Sequence, residues 1–273
     1  MPTANANGIQ LFYELGETDG PPLVLVHGSW ESHADWDPVV PALSETYQVL
    51  TYDRRGHSQS ERPPRGDSIH DDIADLAALI ESLGLAPAWV VGNSFGASIS
   101  LRLALDRPDL VRGLVVHEPP LLALLADDPE AAPMLEDVQS RVGSVLERIE
   151  SGDHEGAARQ FIETVAIGPG AWDEIPHENR QTLIENAPTF VDESRDPDQF
   201  TFDLQSAGAF SKPVLLTTGD KSPPMFSPVV SRVAKAFPNT ETHRFPEAGH
   251  IPHVTHPDAF VGVVRDFVDR RSL

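Results

Sequence analysis

Apolar residues recur with two different periods along this chain, and the switches between them mark its elements. Ile9–Leu15, Leu23–Val26, Tyr47–Tyr52, Trp89–Val91 and Leu114–Val116 are short β-rich runs bounded by Gly, Pro and Asp, and they predict strands. Between them, Ser68–Leu83 has helical period. Ile73, Leu76, Ala77, Ile80 and Leu83 share one face, which Asp71, Asp72, Asp75 and Glu81 avoid. Ser94–Leu105 is apolar over most of its surface and predicts a buried helix that stops before Arg107-Pro108.

From Pro119 to about Gly208 the strand pattern disappears. Helical stretches such as Met134–Ile149 and Glu155–Ile167 replace it, broken by Gly168-Pro169-Gly170, Pro176, Pro188 and Pro197. After Pro213 the alternation resumes: Val214–Thr218 as strand, Val229–Phe237 as helix, Thr240–Phe245 as strand and Pro257–Arg270 as helix. Strands alternating with helices imply an α/β fold, a mostly parallel sheet covered on both faces. Residues 1–118 and 209–273 are expected to form that core. Residues 119–208 are expected to be one helical insertion, a lid over the carboxyl edge of the sheet.

Composition narrows the function classes. The chain has 273 residues and a formal net charge of −22, with 42 acidic against 20 basic side chains. A phosphate-binding surface needs a basic footprint, so nucleic acid is not an expected partner. The absence of cysteine excludes disulfides, thiolate catalysis and cysteine-ligated metal sites. Met1-Pro2-Thr3-Ala4-Asn5 shows neither a basic region nor an apolar stretch, and no run approaches the length of a membrane span; a soluble cytoplasmic protein without membrane partners is expected. Only Lys212, Lys221 and Lys235 are lysines, the remaining basic residues being arginines. That skew fits an acidic surface kept hydrated in salt, and equally an arginine-favouring genome. Oligomeric state leaves no mark in the sequence.

One segment carries chemistry outright. Gly92-Asn93-Ser94-Phe95-Gly96 is G-x-S-x-G, set between a buried strand and a buried helix. Glycines flank a turn too tight for side chains, the serine stands at its apex, and the helix N-terminus directs N–H groups at developing negative charge. A serine hydroxyl becomes nucleophilic when a histidine takes its proton and a carboxylate orients that histidine. Among 11 histidines, His250 follows the last predicted strand and precedes the final helix, at the sheet edge where open α/β folds gather their sites. His253 and His256 are less well placed, and His27 reads as a brace for its loop. In Val26-His27-Gly28-Ser29-Trp30, the Ser29 N–H is the expected partner of the Phe95 N–H in an oxyanion hole, with Trp30 as the near alternative.

These residues resemble the α/β-hydrolase family over nearly the whole chain: H-G-S-W at 27–30, D-R-R-G-H-S at 53–58, G-N-S-F-G at 92–96 and A-G-H at 248–250. Serine at the elbow sets the chain apart from the branches that attack with a carboxylate. In most similar members the acid follows the strand after the lid, three residues past a glycine; here that position is Ser222, with Asp220 two places early. Glu118, at the end of the preceding strand, stands 24 residues after Ser94, enough for one helix and one strand to return to the same edge. Some serine members place their acid there, including fungal lactonases that open the macrocyclic ester of zearalenone. His117-Glu118-Pro119-Pro120 and the leucines after it resemble those enzymes, as does the stretch from Gly249 to Phe260.

The expected triad is therefore Ser94, Glu118 and His250, with Asp220 the alternative acid. The expected activity is cofactor-independent, metal-free hydrolysis of a carboxylic ester or lactone through an acyl-enzyme, the serine esterase or lactonase chemistry. Carbon–carbon, amide or peracid chemistry on the same triad is the enzymatic alternative, and a slow-turnover small-molecule receptor is the alternative of another class. The insertion's apolar side chains (Leu121, Leu122, Leu124, Leu125, Phe161, Phe190) suggest an apolar substrate, with Trp30 and Trp172 as candidate pocket residues.

Overall fold

The computed structural model describes residues 2–63 and 68–272. Residues 1, 64–67 and 273, inside the expected core ranges, lie outside the described residues. Eight strands among the described residues form one sheet in the order β1-β2-β4-β3-β5-β6-β7-β8. They are β1 (Thr3–Ala6), β2 (Ile9–Leu15), β3 (Pro22–Val26), β4 (Gln48–Tyr52), β5 (Ala88–Asn93), β6 (Val111–His117), β7 (Val214–Gly219) and β8 (Thr240–Phe245). β1, β2 and β4 pair antiparallel at one side; every pairing from β4 through β3, β5, β6 and β7 to β8 is parallel. β1 was absent from the pattern reading. It exists because Asn7 and Gly8, at φ 50° and 87°, close a two-residue hairpin that returns the chain onto β2.

Alternation along the strands builds two cores. Val24, Val26, Val90, Leu114, Val116 and Leu216 face α1 (Ile69–Ser82) and α2 (Phe95–Asp106). Leu23, Leu25, Trp89, Val91, Val115 and Leu215 face the other way, onto Trp36 and the Phe260, Val264 and Phe267 stripe of the C-terminal helix. Both faces of the central strands are thus dry, which is why those strands read as unbroken apolar runs. α1 begins on a capping box, Ser68 and Asp71 each bonding the other's backbone N–H.

Between β6 and β7 the chain is helical: α3 (Ala132–Glu150), α4 (His154–Phe161), α5 (His177–Asn186) and α6 (Thr189–Arg195). This stretch divides energetically. Leu121, Leu125, Ala207 and Phe210, at its two ends, belong to the first sheet core. Val145, Ile149, Ala158, Ile162, Trp172, Leu183 and Phe190 form a separate cluster, into which Trp30 inserts from the loop after β3. α7 (Phe226–Ala236) and α8 (Pro257–Ser272) complete the layers.

Candidate active site

Ser94 terminates β5 with φ 53° and ψ −120°, a backbone that non-glycine residues rarely adopt. The neighbouring glycines make it possible. A Cβ on Gly92 would sit 2.5 Å from Gly96 O and 2.6 Å from Ser100 Oγ, and one on Gly96 would overlap the carbonyls of Val26 and His27. The turn therefore packs directly on the end of β3, and its strain is held by a 2.9 Å hydrogen bond from Ser94 N–H to His117 O. Ser94 itself is only partly buried.

The parallel register brings the next groups alongside. Asn93 pairs with His117 and His117 with Thr217, so Glu118 emerges one residue beyond the edge that Ser94 leaves. Its backbone is left-handed as well, at φ 48°, and its side chain is fully buried. Glu118 Oε1 accepts the Gly219 N–H at 2.8 Å. Oε2 faces His250 Nδ1 at 2.7 Å, with His117 Nε2 at 3.4 Å. Burial would raise the Glu118 carboxyl, but the bonds to His117 and His250 outweigh it and hold the group well below the usual carboxylate range. His250 lies on the loop after β8 with its ring stacked on Phe226, 4.2 Å between centroids. With Nδ1 committed to Glu118, Nε2 is the nitrogen left to exchange a proton.

Asp220 is not part of this arrangement. It follows β7 with its N–H on Phe245 O, and Glu118 is the carboxylate that His250 Nδ1 meets. His253 lies fully buried between Trp36 (4.3 Å) and Phe260 (5.9 Å), with neither ring nitrogen hydrogen-bonded. Burial lowers its pKa to about 3, so it is a neutral ring in an aromatic core. His256 bonds the adjacent Thr255 hydroxyl on the exposed side. His27 braces the first loop: Nδ1 meets Gly28 O at 2.9 Å and Nε2 accepts the Arg54 N–H at 3.0 Å.

Gly28 is bare on the side of the elbow, where a Cβ would sit 3.1 Å from Ser94 Cβ, so the loop that carries Ser29 runs close beside the turn that carries Phe95. Among the described residues, the backbone N–H groups of Ser29 and Phe95 donate to no protein acceptor. Trp30 and Trp172 are packed rather than presented. Trp30 is inaccessible and stacked on Phe161 at 4.9 Å, and Trp172 is 3 % exposed in the same cluster.

Two further pairings frame the site. Arg54, from the D-R-R-G-H-S loop, is 1 % exposed and pairs with Asp72 of α1 through Nε and Nη2, each at 3.0 Å. Its Nη2 also meets Glu193 of α6 at 2.9 Å, and its guanidinium lies 4.5 Å over the Phe95 ring. A cavity of about 190 Å³ opens here, lined by Arg54, His57, Phe95, Thr189 and Glu193 among others. The second feature is Glu31, whose Oε2 accepts the Gly28 N–H at 2.7 Å. The Arg54 pairings join distant segments and have no local sequence signature, whereas the Glu31 bond closes a turn of four residues. The described residues offer one His/Asp/Glu grouping of metal-ligand spacing, His117, Glu118 and His250, whose ligand atoms lie within 4.8 Å of one another. No helix among the described residues is long and apolar enough to cross a membrane.

The family model described as "alpha/beta hydrolase fold" matches residues 21–257. A mouse relative, the sn-1-specific diacylglycerol lipase ABHD11, is 27 % identical over 97 % of this chain and 87 % of its own length. The solved structure of an alpha/beta hydrolase from Sphaerobacter thermophilus is 27 % identical, covers 98 % of this chain and 100 % of that one, and superposes with a TM-score of 0.79. That of Est816, described as an N-acyl homoserine lactone degrading enzyme, shares the fold at 21 % identity and a TM-score of 0.75, covering 97 % of this chain and 100 % of that one.

Proposed function

The chain belongs to the α/β-hydrolase family, and we propose that within it this protein is a serine hydrolase of carboxylic esters, lactones included. The observation that carries this reading is the 2.7 Å contact between His250 Nδ1 and Glu118 Oε2 beside a strained, partly exposed Ser94. In the proposed cycle, Ser94 Oγ attacks the substrate carbonyl while His250 Nε2 takes its proton. Glu118, ionised and buried, stabilises the imidazolium and holds its tautomer. The carbonyl oxygen becomes an oxyanion received by the N–H groups of Ser29 and Phe95, a contribution commonly worth about 3–4 kcal/mol per donor. Collapse breaks the ester C–O bond, and the proton on His250 passes to the leaving oxygen. Water, deprotonated by His250, then attacks the acyl-enzyme and frees Ser94.

These steps use side chains and backbone alone. Residues 119–208 act in this reading as the lid, with Trp30 and Trp172 stiffening its apolar roof. The mouse lipase, which cleaves an ester of diacylglycerol, supports the ester bond and an apolar acyl group. Labelling with a fluorophosphonate followed by mass spectrometry tests the nucleophile. The expected result is stoichiometric modification of Ser94, with Ser94→Ala losing at least about 10⁴-fold in ester turnover while keeping the wild-type melting temperature. Turnover of Ser94→Ala at the wild-type rate would remove the proposal. A protein that labels but does not turn over esters would point to the receptor or to carbon–carbon or amide chemistry on the same triad.

A further inference from the structure

Glu31 stands at the site without a part in the cycle above. A Cβ built on Gly28 would lie 3.0 Å from Glu31 Oε2 and 3.1 Å from Ser94 Cβ. The carboxyl and the nucleophile's side-chain carbon are therefore within about 6 Å of one another, with the bare side of Gly28 between them. The same carboxyl holds the Gly28 N–H at 2.7 Å, next to the Ser29 peptide that receives the oxyanion in the proposed cycle.

We propose that Glu31 is a specificity-determining residue of the Ser94 site, selecting substrates by charge: neutral and cationic esters are accepted, and those with a carboxylate near the scissile bond are turned away. This rests on Ser94 being the nucleophile. The groups facing Glu31 support it. Asp35 lies in the 3₁₀ turn His33–Trp36 just after it, Arg54 follows β4, Glu193 projects from α6, and Asp72 of α1 stands behind Arg54. The Gly28 N–H and Arg54 pull the carboxyl down, but Arg54 is shared with Asp72 and Glu193 and the two do not offset burial. Loss of water around the carboxyl, reinforced by Asp35, pushes Glu31 up to about 8. Near neutral pH it is mostly protonated, and the site tolerates a developing oxyanion. Ionised, it places a negative charge within about 6 Å of Ser94 Cβ, which at an effective dielectric near 20 slows oxyanion formation by about a hundredfold and disfavours a more distant anionic acyl end by tens-fold.

The test uses three ethyl esters of equal chain length whose acyl ends carry trimethylammonium, methyl or carboxylate, with kcat/KM measured at pH 7 and pH 9.5. Wild type is expected to prefer the cationic over the anionic ester by tens-fold at pH 9.5, and by at least several-fold less at pH 7. Glu31→Gln retains an acceptor for the Gly28 N–H and is expected to flatten that preference at both pH values. Wild type with no pH-dependent preference overturns the proposal whether or not the variant folds, as does a preference that survives Glu31→Gln. Fluorophosphonate labelling of Ser94 in the same samples separates the two claims. Absence of labelling sinks the nucleophile and the Glu31 inference together, whereas labelling with an unchanged charge preference sinks the Glu31 inference alone.

Discussion

His250 Nδ1 and Glu118 Oε2 meet at 2.7 Å across 132 residues of chain, inside a site where Glu118 has no exposure at all. The contact exists because β6 and β7 run side by side. Thr217 O accepts the Glu118 N–H and the Gly219 N–H binds its other carboxylate oxygen, so β7 holds the acid through its backbone. A carboxylate so placed cannot rotate away, and the imidazole it faces is fixed in turn by Phe226.

If Glu118 is the orienting acid, Glu118→Gln lowers kcat by several hundred-fold or more with little change in KM, because the imidazolium loses its countercharge in the transition state. Asp220→Asn is expected to stay within a few-fold of wild type. Steady-state kinetics on a simple ester measures both, and the reverse ranking would move the acid to Asp220.

Gly96→Ala tests the elbow's fit against β3. Its Cβ would overlap the Val26 and His27 carbonyls, which are backbone and cannot step aside cheaply. A loss of at least about 2 kcal/mol in denaturant unfolding is expected, together with a larger fractional loss of kcat than of stability. Wild-type stability and activity would mean the elbow sits farther from β3 than described.

Acid stability is expected to depend on His253. Its folded-state pKa of about 3 lies below the unfolded value near 6.5, so the unfolded chain binds the proton first. Stability from this site is complete above about pH 6.5 and declines as pH falls toward 3, by up to about 1.4 kcal/mol per unit. His253→Phe keeps a ring between Trp36 and Phe260, and removes two unbonded nitrogens. Its unfolding free energy between pH 4 and 6 should fall less steeply than that of wild type, and an unchanged slope would refute the assignment.

Arg54 ties the helical segment to the core. Arg54→Met leaves Asp72 and Glu193 buried without their cation, and is expected to cost about 3–5 kcal/mol. Glu193→Gln, which leaves Arg54 still paired with Asp72, should cost less. Chemical denaturation of the two variants checks the order, and equal costs would show that the α6 contact carries as much as the α1 contact.

The sequence by itself determined what depends on neighbours along the chain. Apolar period marked Ile9–Leu15, the buried helix after Ser94 and the strand–helix alternation, because secondary structure answers to local side-chain spacing. Gly92 and Gly96 announced the elbow as a spacing around Ser94, although the crowding that demands Gly96 comes from the Val26 and His27 carbonyls of β3 and its loop. Asn7-Gly8 carried a hairpin signal of the same local kind, which the reading of apolar period passed over, and β1 forms through it. Resemblance ranked Glu118 above Asp220, but both follow strands, and only the tertiary structure put a carboxylate, that of Glu118, within 2.7 Å of His250 Nδ1. It also decided that Trp30 joins the helical cluster, that Arg54 spends its charge on α1 and α6, and that the Gly28–Glu31 turn lies against Ser94. Each of these pairs groups brought together by packing, and packing distances follow from the whole fold rather than from any window of the chain.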